Sequence, residues 1–148
     1  MAKFRYRMQN ILDIKIKMET QEKNEFGIAA RKLAEEEDKL LDLKRRQEGY
    51  MTTLTEAAQG DLDIKEINNL KTSINTMKSL IRTQMLEVNK AQRELEVRRA
   101  RLNEVMMERK THENLKERDF ETFKAEMAAE EAKEIDQLIS FTHNGQEV

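Results

Sequence analysis

Apolar residues between Ile67 and Val105 recur at alternating spacings of three and four residues. Nine of the twelve positions in this series are aliphatic, a tenth is Met77, and only Gln84 and Arg98 are polar. Such spacing places the twelve side chains on one narrow stripe of a single α-helix, which is the pattern of a coiled-coil seam. A narrow stripe buries one line of side chains against a partner helix and encloses no ligand pocket. The sequence therefore predicts a function that depends on shape and surface.

The composition also favours an all-α chain. The 148 residues include four glycines and no proline, cysteine or tryptophan, and 38% are charged. The formal net charge is −2, so no bulk field attracts nucleic acid or an anionic membrane. No apolar run approaches the roughly 18 residues of a membrane span, and none follows the basic N-terminal residues as in a signal peptide. We expect no nucleic-acid binding and no direct membrane insertion.

One break divides the chain near residue 60, where residues 56–62 read EAAQGDL. Gly60 is suited to end a helix with a positive φ, and Asp61 or Asp63 is suited to cap the next helix. Asp63 followed three residues later by Glu66 resembles a capping box. The break therefore predicts a short turn between two helices.

Helix one has a seam of its own before this break. One seam row is Phe26, Leu33, Leu40, Gln47 and Leu54, and the second is Ala29, Glu36, Leu43 and Tyr50. Neither helix can bury its stripe alone, so the two should fold back as one antiparallel coiled-coil hairpin spanning 1–148. We expect helix one over about 3–58, the turn over about 59–62, helix two over about 62–139 and a frayed tail over 140–148.

The turn also predicts the register of the hairpin. With its centre near residue 60, residue i faces about 121 − i, so Leu33 lies near Val88 and Phe4 lies level with Glu117. Helix two then overhangs helix one. Between Met18 and Phe26 the apolar spacing is eight residues, which predicts a one-residue slip of the heptad.

Residues that carry out chemistry are sparse. His112 and His143 are 31 residues apart without a carboxylate cluster at ligand spacing, and no histidine is placed to activate a serine. We expect no enzyme, no cofactor and no metal site. The acidic run 35–38 reads as a solvated helix face, and the arginines at 98, 99 and 101 read as ion-pair partners of nearby glutamates.

Three leucines fall off the predicted seams and form a candidate partner surface. Leu41, Leu80 and Leu86 project sideways, and the register places Leu41 level with Leu80. Leu43, Tyr50 and Gln84 border this patch.

Two sequence blocks resemble the FliJ family of flagellar export proteins. The first is Phe4-Arg5-Tyr6-Arg7-Met8 followed by Ile11-Leu12-Asp13-Ile14-Lys15, and the second contains Glu108-Arg109-Lys110, Glu113, Leu115 and Glu117. The likeness covers nearly the whole chain, including its length, the central glycine break and the long second helix.

The resemblance implies a cytoplasmic component of the flagellar type III export apparatus, associated peripherally with the inner membrane. FliJ-like proteins are similar in shape to the stalk of rotary ATPases. Implied partners are the hexameric export ATPase, the cytoplasmic domain of the membrane export gate and export chaperones, with a monomeric chain when free. The residues that this resemblance implies for binding the ATPase are Phe4, Tyr6, Arg7, Ile11, Lys15, Arg109, Lys110, Glu113, Phe120 and Phe123. The residues expected to bind the gate are Leu41, Leu43, Tyr50, Leu80, Gln84 and Leu86.

Three other classes fit the same pattern. A virulence injectisome stalk would have the same shape, and its gene neighbourhood would distinguish it. A prefoldin-like holdase would suppress aggregation of generic clients without an ATPase partner. A cytoskeletal coiled coil would assemble with rising concentration.

Overall fold

The computed structural model describes residues 2–61 and 63–146 and is helical almost throughout. Helix α1 spans Gln9–Gln59 and helix α2 spans Ile64–Gln146, and no strand occurs in these two ranges. The helices pack against each other in an antiparallel sense, as the pairs Glu36–Gln84 and Glu22–Arg101 show. The predicted all-α hairpin, with a second helix that overhangs the first, is confirmed.

Burial follows the predicted seam of α2. All twelve positions of the series from Ile67 to Val105 are buried or half-buried, including the polar Gln84 and Arg98. The most buried apolar residues of the described chain are Tyr6, Leu12, Ala29, Ile74, Met77, Ala91 and Val105. Because the core is a line of residues, its members other than Tyr6, which precedes α1, come from regular steps along both helices rather than from one cluster.

Helix α1 keeps one uninterrupted seam. Glu19 and Glu22 are buried between Lys15 and Phe26, so the spacing of three and four continues through charged residues. The predicted one-residue slip is therefore wrong, because glutamates rather than apolar residues occupy the seam there. The helix also continues without interruption through Gly27.

The turn depends on an aspartate rather than on glycine geometry. The Asp63 carboxylate accepts hydrogen bonds from the backbone N–H groups of Lys65, at 3.0 Å, and Glu66, at 3.4 Å. This confirms Asp63 as the cap of α2. Gly60 has no positive φ, so that expectation is wrong. Leu62, the last residue of the predicted turn, lies outside the described residues.

Both outer helix ends differ from the sequence expectation. Helix one was expected from about residue 3, whereas residues 2–8 are not helical and α1 begins at Gln9. Helix two was expected to end near 139, whereas α2 continues to Gln146. The frayed tail expected over 140–148 is therefore helical over 140–146, and residues 147 and 148 lie outside the described ranges.

Contacts divide the chain into two compact units. Unit 1 comprises Met1–Thr20 and Glu104–Val148, and unit 2 comprises Gln21–Asn103. Each unit contains part of α1 and part of α2.

Candidate interaction surfaces

An aromatic cluster joins the N-terminal segment of unit 1 to α2. The Phe4 ring centroid lies 5.1 Å from that of Phe120 and 5.5 Å from that of Phe123, with tilted planes. The ammonium of Lys124 lies 5.0 Å from the Phe120 centroid. Tilted ring pairs at these distances attract each other beyond simple burial of area. The packing explains why residues 2–8 leave the helical path: a turn at residues 7 and 8 and the irregular segment before it carry Phe4 past the level of Glu117.

Tyr6 lies beneath the surface rather than on it. Its side chain is 7% exposed, and its hydroxyl has no hydrogen-bond partner among the described residues. Leu12, one turn into α1, is 3% exposed. The structure thus places Tyr6 in the core of unit 1, whereas Phe4 and Phe120 retain partly exposed rings.

Charged residues share the unit 1 seam with the buried Leu12 and Val105. The Lys15 ammonium lies 2.7 Å from the Glu108 carboxylate, and the Arg109 guanidinium pairs with Glu113 at 2.7 Å and also with Glu19. Hydrogen bonds to Glu113 and then to Glu19 raise the pKa of Arg109 above its ordinary value. Three of the side chains predicted for the ATPase therefore have partners within unit 1.

Other predicted ATPase-binding residues are open to solvent. Arg7 and Lys110 are exposed, and Ile11 is 39% exposed. Unit 1 also has an open groove, lined in part by Phe4, Leu12, Ile16 and Phe120. Unit 1 therefore combines an exposed apolar and basic surface with a seam that is already paired.

Within residues 2–61 and 63–146, no helix covers the C-terminal part of α2. Residues 128–145 are all exposed, and four of them are large apolar side chains. These are Ile135, Leu138, Ile139 and Phe141, with 56–79% of each exposed. The same stretch has four acidic residues and one lysine. An exposed apolar series on an acidic helix is typical of a surface that another protein covers.

The predicted gate patch lies in unit 2 and is only partly a surface. Leu41, Leu80 and Leu86 are 47%, 45% and 66% exposed, as expected for positions off the seam. Leu43 and Tyr50 are half-buried seam residues.

Gln84, the sixth predicted patch residue, belongs to a polar layer inside the seam. Its amide donates to the Glu36 backbone carbonyl at 2.9 Å and to the Glu36 carboxylate. Lys32 and Lys39 lie 2.9 Å and 3.4 Å from the same carboxylate, whose side chain is 6% exposed. Hydrogen bonds from Lys32, Gln84 and Lys39 lower the pKa of Glu36 to about 2. The acidic run 35–38 was expected to be solvated throughout, but only the neighbours of Glu36 in it are exposed.

The arginine-rich stretch forms ion pairs, as predicted. Arg98 pairs with Glu94 at 3.0 Å, and Arg101 reaches across to Glu22 at 2.8 Å. The Arg99 guanidinium also lies over the Phe26 ring, 5.3 Å from its centroid. The sequence did not indicate this last contact, since a cation over a ring leaves no periodic signal.

The described residues contain neither a metal-binding cluster nor a membrane span. Across residues 2–61 and 63–146, no group of three or more histidine, aspartate or glutamate side chains is arranged to hold a metal ion. Neither helix, over the part of the chain that is described, is long and apolar enough to span a membrane.

Comparison with known proteins identifies the family. A family model described as "Flagellar FliJ protein" matches residues 4–147. The chain belongs to the FliJ family. No curated protein and no solved structure gives a significant match.

The FliJ family match confirms the resemblance carried by the two sequence blocks. It makes the chain a flagellar export-related protein, and the FliJ family is a non-enzymatic one. Both blocks lie in unit 1, where they supply the aromatic cluster and the ion pairs of Lys15 and Arg109.

Proposed function

We propose that the chain is a non-enzymatic, stalk-like component of the flagellar type III export apparatus. In this proposal unit 1 binds the hexameric export ATPase, and the leucine patch of unit 2 binds the cytoplasmic domain of the membrane export gate. The FliJ family match supports the export assignment. The observation that carries the ATPase proposal is the uncovered end of α2, whose apolar side chains require a protein surface.

The charge of this end favours a particular kind of protein surface. The acidic residues of this end lie within 130–136, on both sides of Ile135 and directly before Leu138 and Phe141. An anionic membrane would repel such a helix, whereas a ring lined with basic and apolar residues would attract it. We propose that the chain raises ATP turnover by promoting assembly of the hexamer and supplies no catalytic group.

The proposal extends to location and partners. A chain that binds both the ATPase and the gate would work in the cytoplasm at the inner face of the cell membrane, and it would be monomeric when free. Export chaperones would be additional cargo. The exposed apolar side chains at 138–141 also fit a holdase, so the ATPase experiment includes a test of that alternative.

The ATPase role is tested by a chain that ends after Met127. This truncation removes the uncovered end of α2 and keeps the aromatic cluster of Phe4, Phe120 and Phe123. ATP hydrolysis by the export ATPase should fall to the rate of the ATPase alone. Leu86→Glu, an exposed change in unit 2, is the matched control and should stimulate like the full chain.

The result that overturns the ATPase role is full stimulation by the truncated chain. Suppression of aggregation of unrelated clients by the full chain, without any effect on the ATPase, would favour the holdase instead. Injectisome and flagellar ATPases should be compared, because stimulation of only the injectisome enzyme would assign the chain to virulence secretion.

The gate role is tested by replacing Leu41 and Leu80 together with glutamate. Both side chains are about half exposed, so helix content should stay unchanged while binding to the gate domain is lost. Ile28→Glu, at another exposed position of unit 2, is the control. Loss of helix content in the double variant would show that these leucines are structural, and unchanged gate binding would exclude the patch.

A further inference from the structure

We propose that residues 2–8 form a displaceable clasp, which covers the aromatic pair Phe120 and Phe123 in the free chain. The clasp opens by joining α1 as additional N-terminal helix, and the pair then becomes available to a partner. In the structure the clasp is closed, with the Phe4 ring 5.1 Å and 5.5 Å from the two aromatic centroids.

The local sequence of the clasp favours the other state. Residues 2–8 read AKFRYRM and contain no glycine, proline or β-branched residue. Alanine, lysine, arginine and methionine are among the better helix formers. A segment with this composition directly before a 51-residue helix should continue that helix, yet α1 begins at Gln9. The contacts of Phe4 and Tyr6 with the rest of unit 1 therefore hold the segment out of the helix.

The two states exclude each other on length. Residues 7 and 8 form a turn, in which the Gln9 N–H donates to the Tyr6 carbonyl at 3.1 Å, so only the path from Tyr6 to Phe4 can be extended. These two residues cover about 7 Å when extended but about 3 Å as helix. The difference of about 4 Å equals two to three residues of α2 at its rise of about 1.5 Å per residue. A helical clasp would therefore withdraw Phe4 from Phe123 towards the level of Phe120. Joining α1 uncovers the end of the aromatic pair.

The closed state also has a cost that opening removes. The Tyr6 hydroxyl is buried and has no hydrogen-bond partner in the described part of the chain. A buried hydroxyl without a partner loses its hydrogen bonds to water and gains none in return. On the open helix the hydroxyl returns to water. The aromatic contacts of Phe4 thus favour the closed state, whereas hydration of the Tyr6 hydroxyl favours the open state. A switch between two states requires such opposing contributions.

Opening would lengthen one continuous partner surface. Phe120 and Phe123 precede the half-buried Met127, which in turn precedes the exposed apolar residues of 128–145 on the same helix. A protein partner that covers this acidic, apolar helix would gain the aromatic pair only after the clasp has left. The clasp itself is inferred from the contacts and sequence of this chain. Only the identity of the partner, the ATPase ring, rests on the proposed function.

The first test uses the isolated full-length chain. Backbone NMR chemical shifts of residues 3–8 should be non-helical in the wild type and helical in Phe4→Ala, which removes the ring that holds the clasp. Ile14→Ala, at an exposed position of α1, is the control and should leave these shifts unchanged. Non-helical shifts in Phe4→Ala would overturn the proposal, since the segment would then have no helical alternative.

The second test locks the clasp. The chain has no cysteine, so a Phe4→Cys/Phe123→Cys pair can be joined by a short cleavable thiol cross-linker. A Glu22→Cys/Arg101→Cys pair in unit 2, joined in the same way, holds the helices but leaves the clasp free. Stimulation of the export ATPase should fall at least tenfold with the first lock and recover on cleavage, whereas the second lock should have little effect.

Each failure has a distinct signature. Full stimulation by the locked clasp, in a chain that stimulates normally before locking, would overturn the inference. A chain that never stimulates the ATPase, locked or not, would contradict the proposed function instead. In that case the NMR result on the isolated chain still decides whether the clasp has a helical state.

Discussion

The two units use the same seam spacing with different chemistry. In unit 2 the buried apolar residues are aliphatic side chains and one methionine, namely Ala29, Ile74, Met77 and Ala91. A polar layer at Glu36 and an ion pair of Glu22 with Arg101 interrupt them. In unit 1 the seam combines the buried Leu12 and Val105 with ion pairs, and aromatic rings pack against the N-terminal segment. Opening an apolar seam exposes apolar area to water, which costs free energy, whereas separated ion pairs regain hydration. The comparison predicts that unit 2 contributes most of the stability of the hairpin. In unit 1 the contacts between the helices should open more readily and be replaced by contacts with a partner.

The largest effect should come from an aliphatic seam residue of unit 2. Ile74 is 7% exposed, and Ile74→Ala should lower the free energy of unfolding by about 2–3 kcal/mol through lost burial and a residual cavity. Urea unfolding followed by circular dichroism measures the change. Leu86→Ala, at a position 66% exposed, should change it by less than about 0.5 kcal/mol. Equal losses at both positions would contradict the placement of the seam.

The polar layer of unit 2 should make stability depend on acid. The pKa of Glu36 is about 2 in the folded chain against an ordinary value of 4.5, so its contribution is complete above about pH 4.5. It should be lost as the pH falls from about 4.5 towards 2. The melting temperature of Glu36→Gln should therefore lie below that of the wild type at pH 6, and the two should converge near pH 2.

A neighbouring glutamate provides the control for this pH dependence. Glu37 is exposed, so Glu37→Gln should follow the wild-type melting temperature more closely across the same range. A gap between wild type and Glu36→Gln that stays constant from pH 6 to pH 2 would show that the carboxylate charge is not what stabilises the layer.

The smallest effect should come from an ion pair of unit 1. The side chains of Lys15 and Glu108 are 24% and 41% exposed, so Lys15→Gln should cost about 0.5 kcal/mol or less at 0.1 M salt. In 1 M salt the difference should vanish, since screening removes most of the attraction. Amide hydrogen exchange over 105–112 reports on this locally. A cost that persists in 1 M salt would mean that the lysine stem, rather than its charge, supports unit 1.

The hairpin was predictable because its information is periodic. The series from Ile67 to Val105 and the rows through Leu33 and Leu40 each repeat along one helix, so one sequence suffices to align them. The expected pairing of residue i with about 121 − i agrees with Glu36 opposite Gln84. The cap at Asp63 was also local, since an N-cap bonds within three residues.

The start of α1 and the buried glutamates were not predictable in this way. The path of residues 2–8 depends on rings more than one hundred residues away in the chain, at Phe120 and Phe123. Glu19 and Glu22 occupy seam positions because arginines face them, and a search for apolar spacing passes over such positions. Pairing across helices leaves no mark in either helix alone.

The aspartate cap also makes the turn a practical place to label the chain. Gly60 adopts a conformation open to any L-residue, and a Cβ added there would meet only the Glu56 carbonyl at an ordinary 3.9 Å. Because Asp63 caps α2, which begins at Ile64, the turn does not require glycine at residue 60. A cysteine for a fluorophore, or a short epitope, inserted at this position would report on the protein in living cells while α2 keeps its Asp63 cap and both helices keep their seams.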